Sequence, residues 1–270
     1  MSTPGARSER LAQLFLRYAT PFARLRRWPL IGPCVRWASS KIVPRKALTW
    51  IQVEHGPATG LWLRVNSRTG RSVLNGEGEP AVQQALTEHL RPGMRFYDLG
   101  ANIGFFSLLG AKLVGPSGAV VSFEADPEIA SRLRENALRN DFSWITVEQK
   151  AVWSEPSVVS FSRMDPASSP DRGQGHVSVE TSGAASIRVE AVSLDDYCSR
   201  YAAPQFIKCD VEGAEVEVFR GARGLLTKQR PGILCELHSN EIRSILLQEF
   251  RSQGYRCLDC DSTHILAFPQ

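Results

Sequence analysis

The chain has 270 residues, 43 % hydrophobic and 22 % charged, which suits one sizeable α/β domain plus an appendage and is ordinary for a globular protein. Its net charge of +4 is unevenly spread: ten Lys or Arg face only Glu9 in the first fifty residues, whereas 22 face 27 acids from Ile51 onward. An acidic main domain matches a phosphate polymer poorly, which argues against DNA or RNA as substrate.

Residues 7–27 carry Leu11, Leu14, Phe15, Tyr18, Phe22 and Leu25 at helical spacing, with Arg10, Arg17 and Arg24 on one flank. This is a basic amphipathic pattern, kinked or split by Pro21. Two readings stay open: an arm packed on the main domain or on a second subunit, or a helix lying on an anionic membrane surface as a peripheral contact. From Leu48 the pattern changes to short β segments, TWIQVE, GLWLRV and SVLNG, divided by His55-Gly56-Pro57 and Thr69-Gly70 as in hairpins. The expected division is therefore an arm at 1–47 and a main domain at 48–270, with a hairpin lead-in at 48–77 and a core from 78.

A helix is expected from Pro80 to Leu90, stopped by Arg91-Pro92-Gly93. Then come strand 94–99, helix 103–113, strand 118–124, helix 127–140 and strand 144–149, an alternation that implies βαβ units and a parallel sheet. Two strand-like pieces, VVSFS and ASIRVE, flank a Ser, Gly, Pro and Asp-rich stretch at 165–185, expected as a mobile loop over the site. The alternation resumes with a helix from Leu194, where Ser193 is the expected N-cap and Asp195 and Asp196 fill the first turn. Strand FIKCD (206–210), a helix near 213–220, strand GILCEL (232–237) and a helix at 239–253 follow. Two antiparallel strands, 255–258 and 264–268, close the chain.

The stretch FYDLGANIGFFSLLG, Phe96 to Gly110, is an apolar strand breaking into a glycine turn and then a helical pattern. That is how an α/β sheet places a ligand at a strand's carboxyl end. Gly100 and Gly104 allow a tight turn, and the next strand ends VVSFEAD, which places Glu124 where an acid accepts hydrogen bonds from a ribose 2′,3′-diol. A dinucleotide and S-adenosylmethionine both carry such a ribose. The dinucleotide fingerprint is G-x-G-x-x-G, whereas here the order is D-x-G-x-x-x-G, with Asn102 within it. Asp98 would repel a pyrophosphate but suits an ammonium and a sulfonium. The reading is S-adenosylmethionine, with a nicotinamide oxidoreductase and a cofactor-binding module without turnover as its rivals.

Further acids gather on the same sheet edge. FIKCDVEGAEVEVFRGA brings Asp210 and Glu212 there as candidates for base, substrate clamp or metal ligand, while Glu215 and Glu217 are expected as first-turn residues favoured by the helix dipole. CELHSNE brings Glu236 and His238. Methyl transfer to an alcohol needs the hydroxyl proton removed, and His238 is the preferred base on residue type, with Asp210 or Glu212 orienting the acceptor. Asp210, Glu212 and Glu236 are also candidate ligands for Mg²⁺. The six cysteines show no framework spacing, Cys257-x-x-Cys260 lacks a partner pair, and no apolar run reaches the roughly 18 residues of a span. The expectation is a reducing, cytoplasmic setting.

In this order and spacing FYDLGANIGFFS, VVSFEAD, AVSLDDY, FIKCDVEGAE and ILCELH resemble the FkbM family of S-adenosylmethionine-dependent methyltransferases. The resemblance runs from about Gly78-Glu79-Pro80 to the C-terminus and leaves out the basic arm. It implies a Rossmann-like class I fold with a seven-stranded sheet whose last strand is antiparallel, and O-methylation of a hydroxyl on a sugar, glycolipid or natural product. Carried over by position, Asp98, Gly100, Ala101, Asn102 and Gly104 would line the methionine half of the cofactor, Glu124 and Ala125 the ribose, and Ala151 the adenine. Asp210, Glu212 and Glu236 match the family's acidic positions.

Overall fold

The computed structural model describes residues 48–67, 70–162, 176–178 and 186–270, together with Gln13. Apart from Gln13, the basic segment 7–27 lies outside the described residues, as does most of 165–185. The chain divides into two compact units after Gly78. In the first, β1 (Leu48–Gln52) and β2 (Trp62–Asn66) form an antiparallel hairpin with Leu48 opposite Asn66 and Gln52 opposite Trp62. Alternation buries Ile51, Leu63 and Val65. SVLNG, expected as a third strand, is instead the short helix α1 (Arg71–Leu74), whose turn closes through Leu74 N–H to the Gly70 carbonyl at 3.0 Å. Its backbone bonds locally, Asn75 N–H to the Arg71 carbonyl and Gly76 N–H to the Val73 carbonyl, and only Leu74 of the helix is buried.

The second unit opens with α2 (Pro80–His89), β3 (Arg95–Leu99), α3 (Phe105–Val114), β4 (Ala119–Phe123), α4 (Pro127–Arg139) and β5 (Ile145–Glu148). A smaller layer follows, made of β6 (Ala151–Val152), β7 (Ser157–Ser162), β8 (His176–Ser178) and β9 (Ser186–Val192), paired in the order β6-β9-β7-β8. So part of the stretch expected as a loop is a strand, with Ser160 opposite Ser178. The remainder is α5 (Leu194–Arg200), β10 (Phe206–Cys209), α6 (Glu215–Arg220), α7 (Arg223–Lys228), β11 (Gly232–Glu236), α8 (Asn240–Ser252), β12 (Tyr255–Asp259) and β13 (His264–Pro269).

The main sheet has seven strands in the order β12-β13-β11-β10-β3-β4-β5. β11, β10, β3, β4 and β5 are parallel, and β13 runs antiparallel to both β11 and β12. This is the Rossmann-like sheet expected from the sequence. Its central strands are buried on both faces, which is why FYDL, VVSF and FIKC read as continuous apolar runs rather than alternating ones. Cys209 and Cys235, register partners on neighbouring strands, pack in that core. Capping fixes the helices that follow: Asp126 accepts from Glu128 and Ile129 N–H, Ser193 from Asp196 N–H, and Ser239 from Ile242 N–H. Among the described residues no helix is long and apolar enough to cross a membrane.

Candidate functional site

Parallel strands in one register bring their carboxyl ends to one edge, so Asp98, Glu124, Asp210 and Glu236 follow from the sheet alone. Between β3 and α3 the chain turns at Gly100 (φ +73°) and at Gly104 (φ +89°). A Cβ on Gly100 would lie 1.8 Å from the Asp210 carbonyl oxygen, and one on Gly104 would lie 2.7 Å from Leu133. Glycine is therefore required at both positions. Gly100 and Ala101 N–H both donate to the Phe123 carbonyl, and Asn102, itself at φ +51°, donates its N–H to Glu124 Oε2 at 2.8 Å. The other Glu124 oxygen accepts from Asp126 N–H at 2.8 Å. Burial pushes the Glu124 carboxyl up to about 7 against those two bonds, which favour the anion.

A cleft opens over this turn. Of the residues predicted to bind a cofactor, Gly100, Asn102, Glu124, Ala125 and Ala151 line it; Asp210 and Glu212 line its opposite end. Ala101 and Gly104 shape the turn without lining the cleft. Asp98 does not line the cleft. Its carboxyl is buried beneath the turn, accepting from Ser107 Oγ at 2.6 Å, with Lys208 Nζ 3.9 Å away. Burial raises its pKa, and Lys208 and Ser107 oppose that rise. The sequence reading missed Phe161 and Lys150, which line the cleft from β7 and from the link between β5 and β6. Phe161 was legible only as one apolar position in VVSFS, because which way it faces depends on how the small sheet folds over.

Lys208 is the buried cation of the site. Its Nζ sits 3.1 Å from Asp210 Oδ2, 3.9 Å from Asp98 Oδ1 and 5.0 Å from the centre of the Phe106 ring. Burial lowers its pKa, but the two carboxylates more than reverse this and keep it charged. For Asp210 burial acts upward, but Lys208, Glu236 and His238 together outweigh it and hold the carboxyl below its ordinary value. Glu236 goes the other way, to about 7, through burial and the neighbouring charge of Asp210.

His238 also departs from expectation. Its Nδ1 lies 2.8 Å from Glu215 Oε1 and its Nε2 lies 3.2 Å from Glu212 Oε2, with Asp210 Oδ1 at 3.8 Å. Hydrogen bonds to Glu212 and Glu215 raise its pKa to about 11 against the effect of burial. The ring is thus protonated at neutral pH with both nitrogens donating, and it has no lone pair for an incoming proton. Glu215, in the first turn of α6 as expected, is buried and holds both His238 and Gly213 N–H. Glu217 pairs with Arg220 on the surface. The acids expected to hold Mg²⁺ do not converge as a trio, since Asp210 is committed to Lys208 and Glu212 to His238. Among the described residues the groups close enough to share a cation are Asp210, Glu236 and His238, and Glu79, Glu236 and His264.

A family model described as Methyltransferase FkbM domain matches residues 98–257. The chain is 39 % identical over 66 residues to an arsenite methyltransferase of Halobacterium salinarum, covering 24 % of this chain and 16 % of that one. It is 29 % identical over 164 residues to the hexuronic acid methyltransferase AglP of Haloferax volcanii, covering 60 % and 63 %. It thus spans less than two thirds of either curated relative. Among solved structures, a Methyltransferase FkbM from Methylobacillus flagellatus KT shares 22 % identity over 75 % of this chain and 54 % of its own, with a TM-score of 0.46. A SAM-dependent O-methyltransferase from Thermotoga maritima shares 11 % over 74 % and 70 %, with a TM-score of 0.45. The chain belongs to the FkbM methyltransferase family.

Proposed function

We propose that this FkbM-family methyltransferase uses S-adenosylmethionine and methylates a hydroxyl of a sugar, glycolipid or natural product. The observation that carries the reading is the cleft, with Glu124 at one end, the Gly100 turn in the middle and Asp210 and Glu212 at the other end. The residues fit the cofactor. Each Glu124 oxygen accepts one backbone N–H and keeps acceptor capacity for a ribose hydroxyl. Ala125, Ala151 and Phe161 supply an apolar wall for adenine, and the turn from Gly100 through Ala101 and Asn102 to Gly104 shapes the methionine end, braced from below by Asp98. Bound there, the cofactor supplies a methyl group activated by its sulfonium charge.

The acceptor hydroxyl must lose its proton as its oxygen is alkylated. Asp210 is the group placed for this: it lines the cleft, Lys208 fixes its Oδ2, and its Oδ1 lies 3.8 Å from His238 Nε2. Glu212 and Glu236 orient the acceptor, and His238 acts as a positioning residue that clamps Glu212 to Glu215. Holding the reactants aligned contributes about 7 to 11 kcal/mol in well-oriented systems. The acidic wall suits a neutral hydroxyl better than a carboxylate, and the name of the Haloferax relative supports a sugar as the acceptor class. In this reading residues 48–270 form the catalytic domain and residues 1–47 a basic arm, in a reducing cytoplasmic setting.

The test is transfer of labelled methyl from S-adenosylmethionine to a panel of glycosides, uronic acids and glycolipids, with S-adenosylhomocysteine and NAD titrated alongside. Label on a hydroxyl is expected, and Asp210→Asn is expected to lower turnover by about 100-fold or more while leaving S-adenosylhomocysteine affinity within about twofold. Binding of NAD without binding of S-adenosylhomocysteine would overturn the reading.

A further inference from the structure

The sheet register sets Glu236 of β11 directly opposite His264 of β13, so the two side chains stand as neighbours on one face at the cleft edge of the sheet. His264 is 4 % exposed. Its Nδ1 lies 2.9 and 3.0 Å from the two Asp261 oxygens, and Asp261 is itself fixed by the N–H groups of Thr263 and His264. A carboxylate only accepts, so the Nδ1 proton is committed to Asp261 and the ring edge that carries Nε2 is turned toward two further carboxylates. That buried Nε2 has no hydrogen-bond partner. It lies 3.5 Å from Glu79 Oε2 and 3.7 Å from Glu236 Oε2.

Those distances are long for an N–H···O bond, which centres near 2.9 to 3.0 Å. They are close to the separation of about 3.4 Å between two ligand atoms that share a tetrahedral ion at about 2.1 Å from each. Glu79 reaches the cluster from the N-cap of α2, where its backbone takes φ +43° and its side chain makes no capping bond. An imidazole held by an outer carboxylate, with two inner carboxylates and one side open to solvent, is a donor set for a first-row transition ion rather than Mg²⁺, which prefers oxygen ligands and water.

We propose that Glu79, Glu236 and His264 bind one divalent transition-metal ion, Mn²⁺ or Zn²⁺, at the sheet edge beside Asp210. Three protein ligands leave coordination positions open, so the ion can take the acceptor oxygen and ease loss of its proton. That role rests on the methyl-transfer reading; ion binding does not.

The experiment uses full-length protein stripped with chelator, titrated with Mn²⁺ under electron paramagnetic resonance and with Zn²⁺ by calorimetry, with S-adenosylhomocysteine titrated separately. One ion per chain is expected, with nitrogen coupling in the Mn²⁺ spin-echo spectrum that disappears in His264→Gln. Glu79→Gln, at an exposed position where folding is not at stake, is expected to weaken binding at least tenfold with S-adenosylhomocysteine affinity unchanged. Asp261→Asn is expected to weaken it by about 10- to 100-fold. Less than one ion per chain, or equal binding in wild type and Glu79→Gln, would overturn the site and leave His264 as a protonated partner of the two glutamates. Ion binding without S-adenosylhomocysteine binding would instead sustain the site and remove only its part in methyl transfer.

Discussion

Replacing Glu124 with Gln probes the cleft through a quantity the fold dictates. The Glu124 carboxyl titrates at 4.5 when unperturbed and at about 7 in the folded protein, with burial as the main cause. Between these values the folded state holds more protons than the unfolded one, so stability is highest at the acid end, falls as pH rises through the window, and levels off above about 7. The window is about 2.5 pH units wide, and at about 1.36 kcal/mol per unit the loss is about 3 kcal/mol. Glutamine has no such titration. Urea unfolding of both proteins between about pH 5 and pH 8 is expected to show wild type losing about 3 kcal/mol relative to the variant. Saturating S-adenosylhomocysteine is expected to flatten the wild-type slope, because ribose hydroxyls donating to the anion bring the carboxyl back down. Parallel slopes for the two proteins would refute the burial reasoning, and a slope unmoved by the ligand would refute the ribose assignment.

Gly100→Ala combines positive-φ strain with a Cβ 1.8 Å from the Asp210 carbonyl, whereas Gly60→Ala, at φ +90° with nothing within 4 Å of its Cβ, carries the strain alone. The first is expected to cost roughly 2 to 5 kcal/mol and to abolish S-adenosylhomocysteine binding, the second about 1 to 2 kcal/mol, both read from urea midpoints; equal costs would remove the contact with Asp210 as the reason for glycine. Asp195→Ala takes an acceptor away from Gly224 and Leu225 N–H at the start of α7. It is expected to cost about 1 to 2 kcal/mol, seen as a lowered melting temperature, while Asp196→Ala, on an exposed pair with Arg200, stays within about 0.5 kcal/mol.

The parts of this protein that read plainly from sequence are those fixed by local chemistry. An apolar run ending at Asp98-Leu99-Gly100 can only be a buried strand meeting a tight turn, and the period of residues 127–139 with Asp126 before Pro127 can hardly be anything but a capped helix. Hidden features depend on what comes from far along the chain. Asp195 was expected in the first turn of its own helix, but its carboxylate caps α7, some thirty residues on; the six residues of α7 itself carry too little periodicity to be noticed. His238 has the residue type of a base and the surroundings of an imidazolium, because Glu212 and Glu215 reach it from another strand end. His264 attracted no attention beside CELH, since its importance comes only from the antiparallel register that sets it against Glu236.

The small sheet β6-β9-β7-β8 is tied to the main core by Val152 and Val192, and Phe161 from β7 forms part of the cleft wall. The seven-stranded sheet keeps its glycine turn and its row of acids however that insert is built. Phe161 is at once cleft wall and core, packed with Ala125, Ala151, Val189 and Ala191, so a change that reshapes this side of the cleft also draws on the stability of the small sheet.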